Sequence, residues 1–364
     1  MWYFGENGII KKAEQAKDVH EQKTEKEQDD LDSLEQYIIT AKWDLSKVTA
    51  VRSEDNVVVP VPIGYTASTV TGEKSVATGF VIKEGTNGGA TEGINEFVWV
   101  PVSEISDLYD STNNAGQLWD FSGTTSTKYT YPTTQNSGYR EPDVVTKASS
   151  GSDSSSGSEY DAVSTNLQQA GLSSTATVAD FKTQLQNEFT TMKNSVAKYG
   201  GFYIGRYETG NLSQATAVVQ KNNSDISKQT WYTQYKLSKT IKANDNVISS
   251  MIWGCQWDAT MRWMQTSSNT EVVNYVTDST GRGNYSNSRI ATGSNPDYAV
   301  NNIYDMAGNV CDWTLEAFIA SGRMSRGGYY GNGGSSSPAS SRGGYLPANS
   351  GDYRGSRVTL YVTL

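Results

Sequence analysis

The stretch from Asn301 to Leu364 constrains the fold more than any other. It opens on NNIYDMAGNVCDWT, passes through the irregular run SRGGYYGNGGSSSPASSRGGYLPANSGDYRG and closes on SRVTLYVTL. The closing residues alternate as a strand does, with Val358, Leu360 and Val362 on one face. A structureless run this long inside a compact domain is either functional or disordered. Regular anchors on both sides predict that it is held as an exposed loop surface. Its chemistry suits recognition. Tyr gives large contact area at low entropy cost, and Ser, Gly and Asn give adaptable hydrogen bonds. The expected ligand contacts are Tyr329, Tyr330, Asn332, Ser335, Ser336, Ser341, Tyr345, Leu346, Ala348, Asn349, Asp352, Tyr353 and Arg354. The run carries no cluster of metal ligands or acid–base groups, and a solvated Gly/Ser loop would have the same composition.

Four words occur in order along the chain: GGFYIGRYETG at Gly200–Gly210, IYDMAGNVCDWT at Ile303–Thr314, SRGGYY at Ser325–Tyr330 and GSRVTLYV at Gly355–Val362. They resemble the formylglycine-generating-enzyme (sulfatase-modifying factor) family, which has a variant of the C-type lectin fold. The resemblance runs from about Phe97 to the C-terminus, with inserts. Within the family the chain is most similar to the variable proteins of diversity-generating retroelements, which display a randomised C-terminal loop surface to bind ligands. These retroelements mutate template adenines, often in AAC codons, and codons ending in C cannot encode Lys, Glu, Gln, Met or Trp. None of those residue types occurs from Gly327 to Arg354. Low-complexity bias would leave the same gap.

The resemblance implies an α+β fold: a C-type-lectin-like (formylglycine-generating-enzyme-type) domain with long surface inserts, preceded by an N-terminal helix. It also implies a calcium site, formed by the side chains of Asp305 and Asp312 and the carbonyls of Gly308 and Val310. Oxygen-only ligation suits that ion. Read alone, Asp305 and Asp312 are turn caps. No cofactor is required, and calcium is the one ion implied. The copper-dependent enzymes of the family use a cysteine pair near the C-terminal end. Ser325–Leu364 contains no Cys, and Cys311 stands where the family usually has Trp. The only His is His20, near the N-terminus, which removes His-based triads and His metal sites from the main domain. No catalytic residue is therefore expected. Cys255 reads as a small core residue, and a bridge between Cys255 and Cys311 is left open. Arg326 and Arg357, flanking the loop run, are expected to pin loop carbonyls or acidic partners.

Three segments precede the loop-bearing part. Residues 1–47 form an N-terminal helical segment, with Ile9, Ile10, Ala13, Ala16 and Val19, then Leu31, Leu34 and Ile38, near helical spacing. The charge run between them reads as a solvated face. GENGIIKKAEQAK also resembles the segment that follows the hydrophobic stem of type IV pilin-like proteins of Gram-positive bacteria, with MWYF in place of the stem. Residues 48–105 are β-rich, with Phe97, Trp99 and Val102 on a buried strand face. Residues 106–364 form the main domain. They include a flexible insert at 106–160, a variable loop surface at 325–357, and a second exposed insertion at 266–300. Thr177 or Ser174 caps a helix whose stripe is Phe181, Leu185, Phe189, Met192 and Val196. A second helix spans Trp253 to Met264.

The net charge of −9 argues against nucleic acid and anionic membranes as partners. No run is apolar enough for a membrane span. The reading is a non-catalytic ligand-binding display protein of adhesin or receptor-binding type. It would be extracellular, on a pilus-like cell surface or a virion, and its partner a protein or glycan on another cell or virion. Assembly would run through the N-terminal helix. The alternatives are a structural pilin-like subunit and an oxidase relative that lost its copper cysteines.

Overall fold

The computed structural model describes residues 17–18, 20–24, 26, 39, 41–90, 93–122, 125–130, 138–146, 160–242, 244–266, 270–318 and 322–364. The chain divides into two compact units, Met1–Leu45 and Ser46–Leu364. In the first, the described residues at 17–26 are helical, and Lys17 and Glu21 pair one turn apart at 3.6 Å. The apolar positions expected to form its stripe lie outside the described residues, as does the serine-rich tract at 147–159.

The second unit is mixed α/β. Its labelled strands are β1 (Val48–Arg52), β2 (Val58–Pro62), β3 (Tyr65–Ala67), β4 (Val81–Glu84), β5 (Glu96–Pro101), β6 (Tyr139–Arg140), β7 (Gly201–Gly205) and β8 (Val247–Met251). Those that follow are β9 (Cys311–Phe318), β10 (Gly322–Arg326), β11 (Arg342–Tyr345), β12 (Arg354–Ser356) and β13 (Val358–Val362). The helices are α1 (Ser164–Gln169), α2 (Val178–Tyr199), α3 (Trp231–Ser238), α4 (Gly254–Gln265) and α5 (Thr270–Tyr275). An antiparallel sheet of six strands runs β8-β13-β7-β5-β4-β3. The β-rich residues 65–101 therefore complete the same sheet as residues 201–362.

Alternation along these strands splits the core into two layers. Val98, Val100, Phe202, Ile204 and Tyr361 face one layer; Phe97, Trp99, Tyr203, Val358 and Leu360 face the other. The closing residues form a strand, β13, which is buried on both faces because it lies between β8 and β7. The antiparallel ribbon β1–β2 covers the second layer with Val59 and Val61.

The first layer is closed by helices and by a five-stranded sheet, β6-β9-β10-β11, to which β12 adds parallel beside β9. Helix α2 starts at a capping box: the Thr177 hydroxyl accepts from the Asp180 N–H at 3.2 Å, and the Asp180 carboxylate accepts from the Thr177 N–H at 2.8 Å. It ends at Gly200, whose φ of 83° is left-handed. The predicted stripe Phe181–Val196 is buried, and Phe189 meets Trp253 edge to face at 5.2 Å. Helix α4 packs on β5 of one sheet and β9 of the other, so burial extends well beyond the expected Trp253–Met264 stripe and takes in Asp258.

The region expected to be a flexible insert is partly built into the core. Leu108, Leu118, Trp119, Phe121 and Val145 are buried, and β6 joins the five-stranded sheet. Just beyond this region, a buried ion pair joins Arg323 Nη2 to Asp161 Oδ2 at 2.5 Å, with the Tyr232 hydroxyl donating to the other Asp161 oxygen at 2.9 Å. No helix among the described residues is long and apolar enough to cross a membrane.

Candidate ligand-binding surface

The run after β10 leaves the sheet through Gly327 and Gly328, both at positive φ. A Cβ on Gly327 would stand 2.4 Å from the Met306 carbonyl oxygen, so only glycine lets the loop lie against the turn at residues 305–310. Two backbone bonds seal that contact: Gly308 N–H to Gly327 O at 2.8 Å, and Tyr330 N–H to Asn309 O at 3.0 Å. Asn332 closes the next turn, its side-chain oxygen accepting from the Tyr329 N–H at 3.0 Å.

Fixed residues then hold the backbone at intervals. The Gly334 carbonyl accepts from the Ser279 N–H at 3.1 Å, the Ser337 carbonyl from the Tyr285 hydroxyl at 2.8 Å and the Ala339 carbonyl from the Trp257 indole at 2.9 Å. Residues 266–300, expected to be an exposed insertion, supply Ser279 and Tyr285 to this support.

Beneath the loop lies a buried charge cluster. Arg326 donates to Asp258 Oδ1 at 2.6 Å, Glu316 Oε2 at 3.0 Å and the carbonyls of Ser341 at 3.0 Å and Ser340 at 3.2 Å. Arg342 donates to Glu316 Oε1 at 2.9 Å, to the Trp119 carbonyl at 2.9 Å and to the other oxygen of Asp258. Two guanidinium groups and two carboxylates balance one another in a place that excludes water. Arg326 thus pins loop carbonyls and acidic partners as expected. Arg357, beyond the loop, holds Asp312 at 3.0 Å and the carbonyls of Gly205 at 2.9 Å and Tyr304 at 2.8 Å.

The expected contact residues fall into three depths. Ser335, Ser336, Asn349 and Asp352 are exposed; Tyr329, Tyr330, Asn332, Ser341, Tyr345, Leu346, Ala348 and Tyr353 are half-buried; Arg354 is buried. The tyrosines converge from three separate parts of the run. Tyr329 lies 4.7 Å from Tyr353 and 5.3 Å from Tyr330 between ring centres. The Arg354 guanidinium sits 4.1 Å from the Tyr345 ring and 4.5 Å from the Tyr353 ring, with Trp313 behind it at 5.6 Å. Arg354 is therefore a prop beneath the aromatic rings, contrary to its expected place on the surface. Parallel pairing of β12 with β9 draws it inward. Leu346 and Ala348 also pack partly onto core clusters. Asp352 accepts from the Tyr330 hydroxyl at 3.4 Å, and its carbonyl accepts from Arg289 at 3.2 Å. Burial and the neighbouring Asp352 push the Tyr330 hydroxyl above its ordinary value.

The expected calcium ligands lie behind this surface. Asp305 Oδ2 accepts from the Thr292 hydroxyl at 2.9 Å and the Gly293 N–H at 2.8 Å. Asp305 Oδ1 and Asp312 Oδ1 are buried without a hydrogen-bond partner. Glu208, which reading the sequence missed, is fully buried beside both and accepts from the Asn309 amide at 2.6 Å and the Val310 N–H at 3.2 Å. Burial and the adjacent carboxylates push the Glu208 carboxyl up; burial pushes up Asp305 and Asp312, against the pull of Arg357. The described residues contain no group of three or more His, Cys, Asp or Glu side chains placed to hold a metal ion. The expected set, with two side chains and two carbonyls, is of another kind, and two orphaned carboxylate oxygens fit an oxygen-seeking cation. Cys255 and Cys311 are buried free thiols, and burial pushes Cys311 up to about 12.

No protein-family model matches the chain, and no curated protein matches it. The resemblance to the formylglycine-generating-enzyme family therefore rests on its four words. Among solved structures the chain is similar to Treponema denticola variable protein 1, with 14% identity over 74% of this chain and 97% of that chain and a TM-score of 0.28. A likeness at that level does not specify function.

Proposed function

We propose that the protein is a non-catalytic ligand-binding display protein, whose C-terminal loops on a C-type-lectin-like scaffold recognise a partner outside the cell. The observation that carries this reading is the convergence of Tyr329, Tyr330, Tyr345 and Tyr353 around Arg354, on a loop whose backbone is held by residues outside it. Aromatic anchors supply most of the energy of such a contact, and exposed Ser335, Ser336, Asn349 and Asp352 adapt to its shape. The partner is a protein or glycan on another cell or virion, and recognition proceeds without turnover. Both thiols are buried, and burial pushes each of them up, away from the reactive thiolate, which favours binding over the oxidase alternative. Calcium, held by Asp305 and Asp312 with the carbonyls of Gly308 and Val310, would brace the turn on which the loop rests. Diversification by a retroelement belongs to the same reading.

The test is genetic and biochemical. A near-copy of the segment encoding Gly327–Arg354, differing almost only at adenines and lying near a reverse transcriptase gene, is the expected finding. Its absence would remove diversification and leave a fixed adhesin. With any partner so found, Tyr353→Ala and Tyr329→Ala are expected to weaken binding at least tenfold without loss of fold. Unchanged binding in both would remove the tyrosine cluster as the contact surface.

A further inference from the structure

A groove of about 880 Å³ opens between the serines of the variable run and residues 120–122, Tyr129 and Tyr139. Its two walls have different origins. Ser335, Ser336, Ser340 and Ser341 come from the C-terminal run, whereas Tyr129 and Tyr139 come from the region first read as a flexible insert. The two tyrosine rings stand 5.3 Å apart at 61°, and Tyr139 is backed by Phe318 at 5.2 Å. The wall is therefore a fixed aromatic step, and the facing wall is rich in hydroxyls.

The charges restrict what can enter. Arg342 lines the groove, but Glu316, Asp258 and the Trp119 carbonyl each take one of its donors, and its guanidinium rests 5.1 Å from the Tyr139 ring. Lys128, next to Tyr129, is turned to the Ser106 carbonyl at 2.9 Å. Asp120 stands at the rim, exposed, with one oxygen accepting from the Ser122 N–H at 2.9 Å. Among the described residues that line the groove the one cation, Arg342, is already paired with Glu316 and Asp258, and Asp120 would repel a phosphate, sulfate or carboxylate. A lipid would meet too many hydroxyls.

We propose that this groove is a subsite for a neutral saccharide. The proposal rests on the display reading and names the ligand class of its surface. A pyranose ring offers a C–H face to an aromatic side chain and hydroxyls around its edge. Tyr129 and Tyr139 provide the apolar step, the serines provide donors and acceptors, and Asp120 accepts from ligand hydroxyls. The backbone of Ser340 and Ser341 is fixed by Arg326, so those hydroxyls are presented on a rigid support. The aromatic wall lies outside the variable positions, whereas the hydroxyl wall would change with the residues that occupy them.

The experiment uses the full chain on immobilised panels of neutral, sialylated and sulfated oligosaccharides, with Lys- and Arg-rich peptides alongside. Neutral members are expected to bind, with little dependence on salt. Ser335→Trp, which fills the groove from an exposed position, and Tyr129→Ala should each reduce binding tenfold or more while circular dichroism stays unchanged. Selective capture of sulfated or sialylated members, capture of basic peptides alone, or no capture at all would overturn the proposal. Wild-type binding by both variants would overturn it too. If Tyr353→Ala abolishes binding and Ser335→Trp does not, the display reading stands and the groove is discarded; the reverse pattern keeps the groove and discards the tyrosine cluster.

Discussion

Glu141 is fully enclosed, and its two oxygens accept from the backbone N–H groups of Gly254 at 2.7 Å and Cys255 at 2.5 Å, at the start of α4. Those bonds favour the charged form. Burial and the nearby Glu316 carboxylate oppose them and win, raising the group from 4.5 to about 8. Between those values the folded protein keeps a proton that the unfolded chain has lost. Stability from this group is therefore full below about 4.5 and drains away as pH rises to about 8, by about 1.4 kcal/mol per unit. Glu141→Gln keeps the shape without the charge. The difference in urea stability between wild type and Glu141→Gln should change steadily across that interval and level off above it. Parallel curves would show that Glu141 is not the titrating group.

At the scale of elements, the turn at residues 305–310 joins loop to scaffold, and its electrostatics are unbalanced. Glu208, Asp305 and Asp312 crowd around one guanidinium, that of Arg357. Protons or a divalent cation must make up the difference. Calcium at a hundred times its Kd is expected to add about 2.7 kcal/mol, read as a raised melting midpoint that a chelator reverses and that Asp305→Asn largely removes. No shift would mean that protonation alone balances the turn. Asp305 and Asp312 were singled out together because both fall in one local word, IYDMAGNVCDWT, on which the resemblance rests. Helix α2 was legible for a similar reason, since Thr177 and the Phe181–Val196 stripe act over a few residues. Glu208 was not, because its partners lie about a hundred residues away. The same holds for Asp258, Glu316, Arg326 and Arg342, whose pairing needs two strands and a helix to meet. Arg354 looked like a surface contact because composition reports residue type and not depth. Trp119 and Phe121 were hidden in a polar stretch whose short strands have too few residues to show a period.

For the whole of Ser46–Leu364, the arrangement separates positions that hold the loop from positions that meet a partner. Support comes from Arg326, Trp257, Ser279 and Tyr285, which bond loop carbonyls and N–H groups without regard to loop side chains. Substitution at exposed Ser335, Ser336, Asn349 or Asp352 should then cost no more than about 0.5 kcal/mol. Arg326→Met would strand Asp258 and Glu316 with only Arg342 between them, at a cost of about 3–5 kcal/mol. Gly334→Ala would place a Cβ 2.5 Å from the Thr280 backbone nitrogen and should fail for steric reasons. A displayed library randomised across Gly327–Arg354 and sorted only for folded protein tests this division directly. Survivors should be diverse at the exposed serines, Asn349 and Asp352, intermediate at the half-buried tyrosines, and nearly invariant at Gly327, Gly334, Ala339 and Arg354. Uniform tolerance along the run would mean that the support does not hold the loop, and the tyrosine cluster would then be one conformation among many. Uniform intolerance would mean that the loop is core, with little freedom left to vary its ligand.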